Sequence, residues 1–227
     1  MNFKPLESNP EVINQFLACL GLEPSVNVSD IFGFTAEHLN FVTQPVLAVI
    51  FLYPCKNDIN EDFTLLNETE EETELKDKET IEGLYFIKQT IKNACGAIAL
   101  IHSVANNFNN INFSPDSIAK KFVELTRNLS PSEKAKFLES DESIKNINEN
   151  CAAIGTTPIP DIVDIHFVSF VEHNGYLWKL DGRKDRPQRV NIATKETVLE
   201  SSAKYCEKFC EKNPNILSFA ALSFSKN

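Results

Sequence analysis

The sequence has little that would staple a fold or hold a metal. It contains no Cys-x-x-Cys pair and no cluster of histidine with cysteine. Cys206 and Cys210 stand four apart on a probable helix with no histidine nearby, which argues against a zinc site. Glycine and proline are scarce and scattered, at 7 and 11 of 227 residues, so the chain is neither low-complexity nor collagen-like. No apolar run is long enough to span a bilayer. The longest, Val46 to Tyr53, suits a buried strand. Met1 to Cys19 carries no long apolar run either, so no signal peptide is expected. The expectation is a soluble cytoplasmic protein, with a nuclear pool also open to it, whose six cysteines are thiols. Basic residues are outnumbered 22 to 32, giving a net charge of −10. Phosphate binding needs a basic face, so nucleic acid is not the expected main partner, nor is a membrane. A basic protein partner would be steered favourably.

What is present builds a core: 42% of residues are hydrophobic. Asn9-Pro10-Glu11 opens a helix, with Asn as cap and Pro at the first helical position. Val12, Ile13, Phe16, Leu17 and Leu20 form its apolar stripe, and Gly21 is placed to end it. Thr35 to Leu39 reads as a short helix and Val46 to Tyr53 as a central strand. The charged stretch Asn67 to Glu79 reads as a solvated helix or a mobile loop. Ser114-Pro115 and Ser130-Pro131 start two further helices, running to about Leu125 and Leu138, the second with a capping box. Ser140 to Asp161 shows no sustained period and reads as a long loop. Val163 to Val171 and Tyr176 to Leu180 are strands joined through Asn174-Gly175, a strong hairpin signal. Lys195 to Cys210 is a helix, and Ile216 to Phe224 a closing strand. Helices first and strands later, without βαβ alternation or a domain boundary, predict one α+β domain over 1–227 with an antiparallel sheet.

Chemistry concentrates in Gln89-Thr90-Ile91-Lys92-Asn93-Ala94-Cys95-Gly96 and the apolar run after it. With Asn93 as the cap, Cys95 falls in a first helical turn, where free N–H groups and the helix dipole lower a thiol pKa. Cys95 is then either a nucleophile or a small core residue at a helix start. A nucleophile needs a base and a group to orient it. His38 and His173 lie in polar surroundings. His102 is seven residues beyond Cys95, about 10 Å along a helix, and reads as a packing histidine. His166 sits inside an apolar strand, where a buried imidazole demands a partner. Asp164, two residues before it, and Asp181, at the end of the next strand, are both available; the cross-strand Asp181 is preferred. Gln89, six residues before Cys95, could join the Cys95 backbone N–H in holding an oxyanion.

The pattern Gln89-x5-Cys95-Gly96, the segment Asp164-Ile165-His166-Phe167, and Leu180-Asp181-Gly182-Arg183, together with Pro5-Leu6-Glu7-Ser8-Asn9-Pro10, resemble the small single-domain ubiquitin C-terminal hydrolases from about Pro5 to Phe224. The resemblance implies a papain-like cysteine peptidase fold: an antiparallel sheet flanked by helices, a knotted backbone, and a crossover loop over the active site at about 140–161. It implies Cys95 as nucleophile, His166 as base and then acid, Asp181 as its orienter, and Gln89 as oxyanion donor, with no cofactor or metal. It further implies that a monomer binds ubiquitin through Pro5, Leu6, Glu7, Ser8, Asn9 and Pro10 and through Ile216, Leu217, Ser218, Phe219, Ala220 and Ala221. The expected reaction removes small adducts or short flexible peptides from the C-terminal glycine of ubiquitin. A ubiquitin-like modifier is an alternative substrate (deneddylation). A ubiquitin-binding protein with little turnover, and a general papain-like peptidase, are the other readings.

Overall fold

A computed structural model describes residues 2–55, 59–155 and 165–227. Its centre is a six-stranded antiparallel sheet in the order β1-β6-β2-β3-β4-β5. The strands are β1 (Val26–Asp30), β2 (Val46–Pro54), β3 (Ile165–His173), β4 (Tyr176–Leu180), β5 (Gln188–Ile192) and β6 (Ala220–Lys226). The eight helices described are α1 (Pro10–Cys19), α2 (Ala36–Leu39), α3 (Glu70–Thr80), α4 (Cys95–Asn106), α5 (Ile118–Thr126), α6 (Pro131–Ser140), α7 (Glu142–Ala152) and α8 (Val198–Lys212).

The sheet is covered on both faces, which explains the unbroken apolar run of β2. Ala48, Ile50 and Leu52 pack on one face with α1, α4 and the helices around them, while Val49, Phe51 and Tyr53 pack on the other with α8. Val46 joins the α8 side because a bulge between Val46 and Ala48 shifts the alternation. Helix α4 runs along β3 and is buried from Cys95 to Ala105 on every side, so it is a core element rather than an amphipathic surface helix. The β3–β4 turn is Asn174-Gly175, both at positive φ (52° and 84°), the geometry of a type I′ turn. This tight hairpin fixes the register that pairs Ser169 with Leu180.

Several local expectations change. The segment read as a structureless loop from Ser140 contains α7, capped by Asp141, whose side chain accepts from the N–H groups of Ser143 and Ile144. Its buried face of Ile144, Asn148, Cys151 and Ala152 has helical spacing, masked in sequence by three asparagines. Asn148 is buried because its amide donates to the Lys4 carbonyl at 2.7 Å. The rest of the expected crossover, residues 156–161, lies outside the described residues. Helix α5 begins after Ser117, not at Ser114-Pro115. Strand β5 was not read at all, and β6 starts at Ala220 rather than Ile216. The charged Asn67–Glu79 stretch forms α3. It is more than a solvated helix: the fully buried Arg189 guanidinium bonds Glu68 at 2.6 Å and Asp77 at 2.8 Å and lies over the Tyr176 ring.

Candidate active site

The four candidate residues converge from three places in the chain. Cys95 is the first residue of α4. Its cap is Ala94, without a side-chain bond, and not Asn93, whose φ of 63° turns the chain into the helix instead. At this position the Cys95 backbone N–H has no intrahelical acceptor. The thiol is 8% exposed and bonds the Ile165 carbonyl at 3.9 Å, one residue from His166. Burial pushes the thiol above its ordinary pKa, although the backbone N–H groups of Phe167 and Gly96 and the Arg183 charge act the other way. The lowering expected from the helix start is therefore outweighed by desolvation.

His166 and Asp181 form a buried pair, with Nε2 2.7 Å from Oδ1 and both side chains almost inaccessible. Asp164, the other acid considered, lies outside the described residues. In the β3–β4 register Asp181 comes two residues before the position opposite His166, so it reaches the ring diagonally. A carboxylate only accepts, so Nε2 carries the proton and Nδ1 presents its lone pair. That Nδ1 is buried with no hydrogen-bond partner among the described residues. Asp181 Oδ1 also accepts from the Arg183 N–H at 2.9 Å. Burial pushes the Asp181 carboxyl up, but His166, the Arg183 N–H and the Lys179 charge outweigh it and hold it below the ordinary value.

Gln89 is tied to the same loop, its N–H donating to the Gly182 carbonyl at 2.7 Å. Gly182 packs closely there: a Cβ would stand 3.1 Å from Gln89 Cβ and 3.2 Å from Ile98, so a side chain would have to push these neighbours back. The Gln89 amide donates once, to Ile91 O at 3.2 Å, which leaves a second N–H. Gln89, Cys95 and Arg183 line one cleft of about 180 Å³ with Pro5, Leu6 and Phe167. Gln89, which lines this cleft, and His166 and Asp181, whose near neighbours in the chain Ile165, Phe167 and Arg183 line it, each keep a buried polar atom without a partner among the described residues.

The family model for ubiquitin carboxyl-terminal hydrolase, family 1, matches residues 3–211. This chain belongs to that family. As a family member it is a cysteine-type deubiquitinase by class. It is 39% identical to ubiquitin carboxyl-terminal hydrolase 3 of Arabidopsis thaliana, over 98% of this chain and 93% of that one. It is 35% identical to the human isozyme L1, over 100% and 99%. Among solved structures, the UCH37 catalytic domain of Trichinella spiralis, determined with ubiquitin vinyl methyl ester, shares the fold. Its TM-score is 0.75 at 21% identity, covering 100% of this hydrolase and 96% of that chain.

The remaining candidates are more dispersed. Of the N-terminal segment, Pro5 and Leu6 reach the cleft, while Asn9 caps α1 and Pro10 starts it. Ile216 to Phe219 precede β6, and Leu217 is 92% exposed. Cys151 is buried in α7 and does not line the cleft. The sequence reading missed a polar floor behind His166. Tyr53 packs edge-on against the His166 ring at 5.6 Å and donates to Glu61 at 2.6 Å, and Lys179 lies buried beyond it. The signal available was a lysine inside apolar β4, two residues from Asp181 and thus on its face. Among the described residues no group of acids, histidines and cysteines could hold a metal ion, and no helix is long and apolar enough to cross a membrane.

Proposed function

We propose that this hydrolase cleaves small adducts and short flexible peptides from the C-terminal glycine of ubiquitin, through a thioester on Cys95. The observation that carries the reading is the oriented His166–Asp181 pair, with an unpartnered buried Nδ1, on a strand whose residues Ile165 and Phe167, on either side of His166, line the cleft that holds Cys95. His166 Nδ1 takes the Cys95 proton as the sulfur attacks the glycine carbonyl. The Cys95 N–H and the second Gln89 N–H supply donors for the oxyanion. His166 then protonates the departing group, the thioester forms, and a water deprotonated by His166 releases ubiquitin. Asp181 keeps Nδ1 as the lone-pair nitrogen and stabilises the imidazolium. The small cleft lined by Leu6, Gly96 and Phe167, about 180 Å³, suits a glycine tail without side chains.

For the body of ubiquitin we assign Pro5 to Pro10, of which Pro5 and Leu6 reach the cleft, and Ile216 to Ala220; Ala221, expected with them, is buried on the α8 side of the sheet and offers no surface. The second segment stands in an apolar surface that includes exposed Leu217 and Phe219, with Phe34 stacked on Phe219 at 6.2 Å and Phe32 exposed close by in sequence. The relative solved with ubiquitin vinyl methyl ester supports this substrate.

One observation favours a second reading, a ubiquitin-binding protein with little turnover: the Cys95 sulfur bonds Ile165 O, and His166 Nδ1 has no bond to it. Such bonds often tighten only in the substrate complex. The test is turnover of ubiquitin carrying a fluorogenic C-terminal amide, beside Cys95→Ala and a generic dipeptide amide. Release by the wild type alone, with the dipeptide untouched, is expected. Tight ubiquitin binding without release would replace the hydrolase reading by the binding one.

A further inference from the structure

Behind the His166–Asp181 pair the structure buries a lysine that the reaction scheme above does not use. Lys179 is 2% exposed on β4 and shares with Asp181 the strand face turned toward α8. Its ammonium donates to the Glu61 carbonyl at 3.0 Å and stands over the rings of Tyr53, at 5.9 Å, and Tyr205, at 5.8 Å. The same Tyr53 ring packs edge-on against His166, 5.6 Å from the imidazole. Tyr205 also donates to the Glu61 carbonyl, at 3.0 Å. The Glu61 side chain accepts from Tyr53 OH and pairs with Lys184 at 3.1 Å. A buried ammonium is costly, and these rings and carbonyl only partly replace its water.

We propose that Lys179 is a positioning residue for the deubiquitinase reaction, a buried positive charge against Tyr53 and two residues from Asp181 that acts through them on the His166 imidazole and so sets the pH range of the Cys95–His166 pair. The charged and titratable groups around it are Asp181 and Lys184 after β4, Glu61 and Asp62 before α3, Tyr53 on β2, and Tyr205 and Cys206 on α8. Burial lowers the lysine's own pKa, and Glu61, Asp181 and Asp62 counter it. Removing a positive charge raises the pKa of every acid near it. Both limbs of the activity profile therefore move the same way, whichever of the two catalytic groups each limb reports.

The inference rests on the proposed hydrolase reading, and its test uses two readouts. One is kcat/KM against pH with the ubiquitin amide; the other is the rate of Cys95 alkylation by iodoacetamide against pH, which needs no turnover. Lys179→Gln keeps an N–H for the Glu61 carbonyl and removes only the charge; Lys179→Met removes both. Each neutral variant is expected to displace both profiles upward by about 0.5–1 pH unit, and Lys179→Arg to restore them. Profiles that stay in place in the neutral variants, even if activity or stability falls, would reduce Lys179 to a structural residue and overturn the proposal. A wild type that does not turn over ubiquitin, while the alkylation profile still moves, would sink the hydrolase reading and with it the role in turnover, leaving only the effect of the Lys179 charge on Cys95 reactivity.

Discussion

Two histidines are fully buried in this protein, each with a ring packed against it and an unpartnered Nδ1, and they differ in what meets Nε2. His102, in the middle of α4, stacks on Phe86 at 5.2 Å and accepts at Nε2 from the Ile87 N–H at 3.0 Å. Its proton is therefore on Nδ1. Burial pushes its pKa down to about 3, so it stays neutral and inert. His166, at the start of β3, meets an acid instead of an N–H, which reverses the tautomer and gives the ring a counter-charge. Burial alone thus does not make a catalytic histidine. What Nε2 meets, an N–H that donates to it or a carboxylate that accepts from it, decides whether the ring can take a proton.

Exchanging or deleting these partners would break the comparison. The largest effect is expected from His166→Ala, which should lower kcat/KM for the ubiquitin amide by about 10⁴-fold. Asp181→Asn should cost about 10²–10⁴-fold, because an amide no longer forces the proton onto Nε2. Gln89→Ala should cost about 10²-fold, mostly in kcat, if its amide meets the oxyanion. His102→Phe belongs at the other end. Activity per folded molecule should stay within about twofold, while urea denaturation should show a loss of about 1–3 kcal/mol for the stranded Ile87 N–H. A large loss of kcat in a well-folded His102→Phe protein would contradict the contrast.

The same histidines predict opposite pH behaviour. His102 has a folded pKa near 3 against an ordinary 6.5, so the unfolded chain binds its proton first. Stability is lost as pH falls from about 6.5 toward 3, on the order of 2 kcal/mol by pH 5. Urea midpoints measured at pH 7 and pH 5 should separate for the wild type and lie closer together for His102→Phe. Asp181 works at a lower pH. Its folded pKa is depressed, so its contribution is present above the ordinary 3.8 and is lost only as pH falls through the folded value.

Much of this contrast could be read before the fold was known, because it rests on local pattern. An imidazole within Ile165-His166-Phe167, followed by an Asn-Gly turn and an aspartate at the strand end, carries its own register. The same holds for α1 and for β2, whose periods are unambiguous. The illegible parts depend on contacts distant in sequence. Helix α7 hid because its buried Asn148 is polar and is satisfied by Lys4, far away in the chain. Asn93 was read as a cap because its residue type allows it; the left-handed turn it makes follows from how the chain enters the core. The thiol's upward shift depends on burial by Leu6 and Phe167, which no spacing reveals. Lys179 and Glu61 meet across 118 residues, so the polar floor behind His166 had no signature beyond a misplaced lysine.

The central claim is that Cys95 alone among six cysteines is the nucleophile and that it acts on the end of ubiquitin. The most direct measurement is intact-mass and peptide analysis after exposure to ubiquitin carrying a C-terminal vinyl methyl ester. One adduct, on Cys95, is expected in the wild type, with none in Cys95→Ala and a much slower one in His166→Ala. An adduct on Cys55, Cys19 or Cys210, or one of undiminished rate without His166, would contradict the assignment.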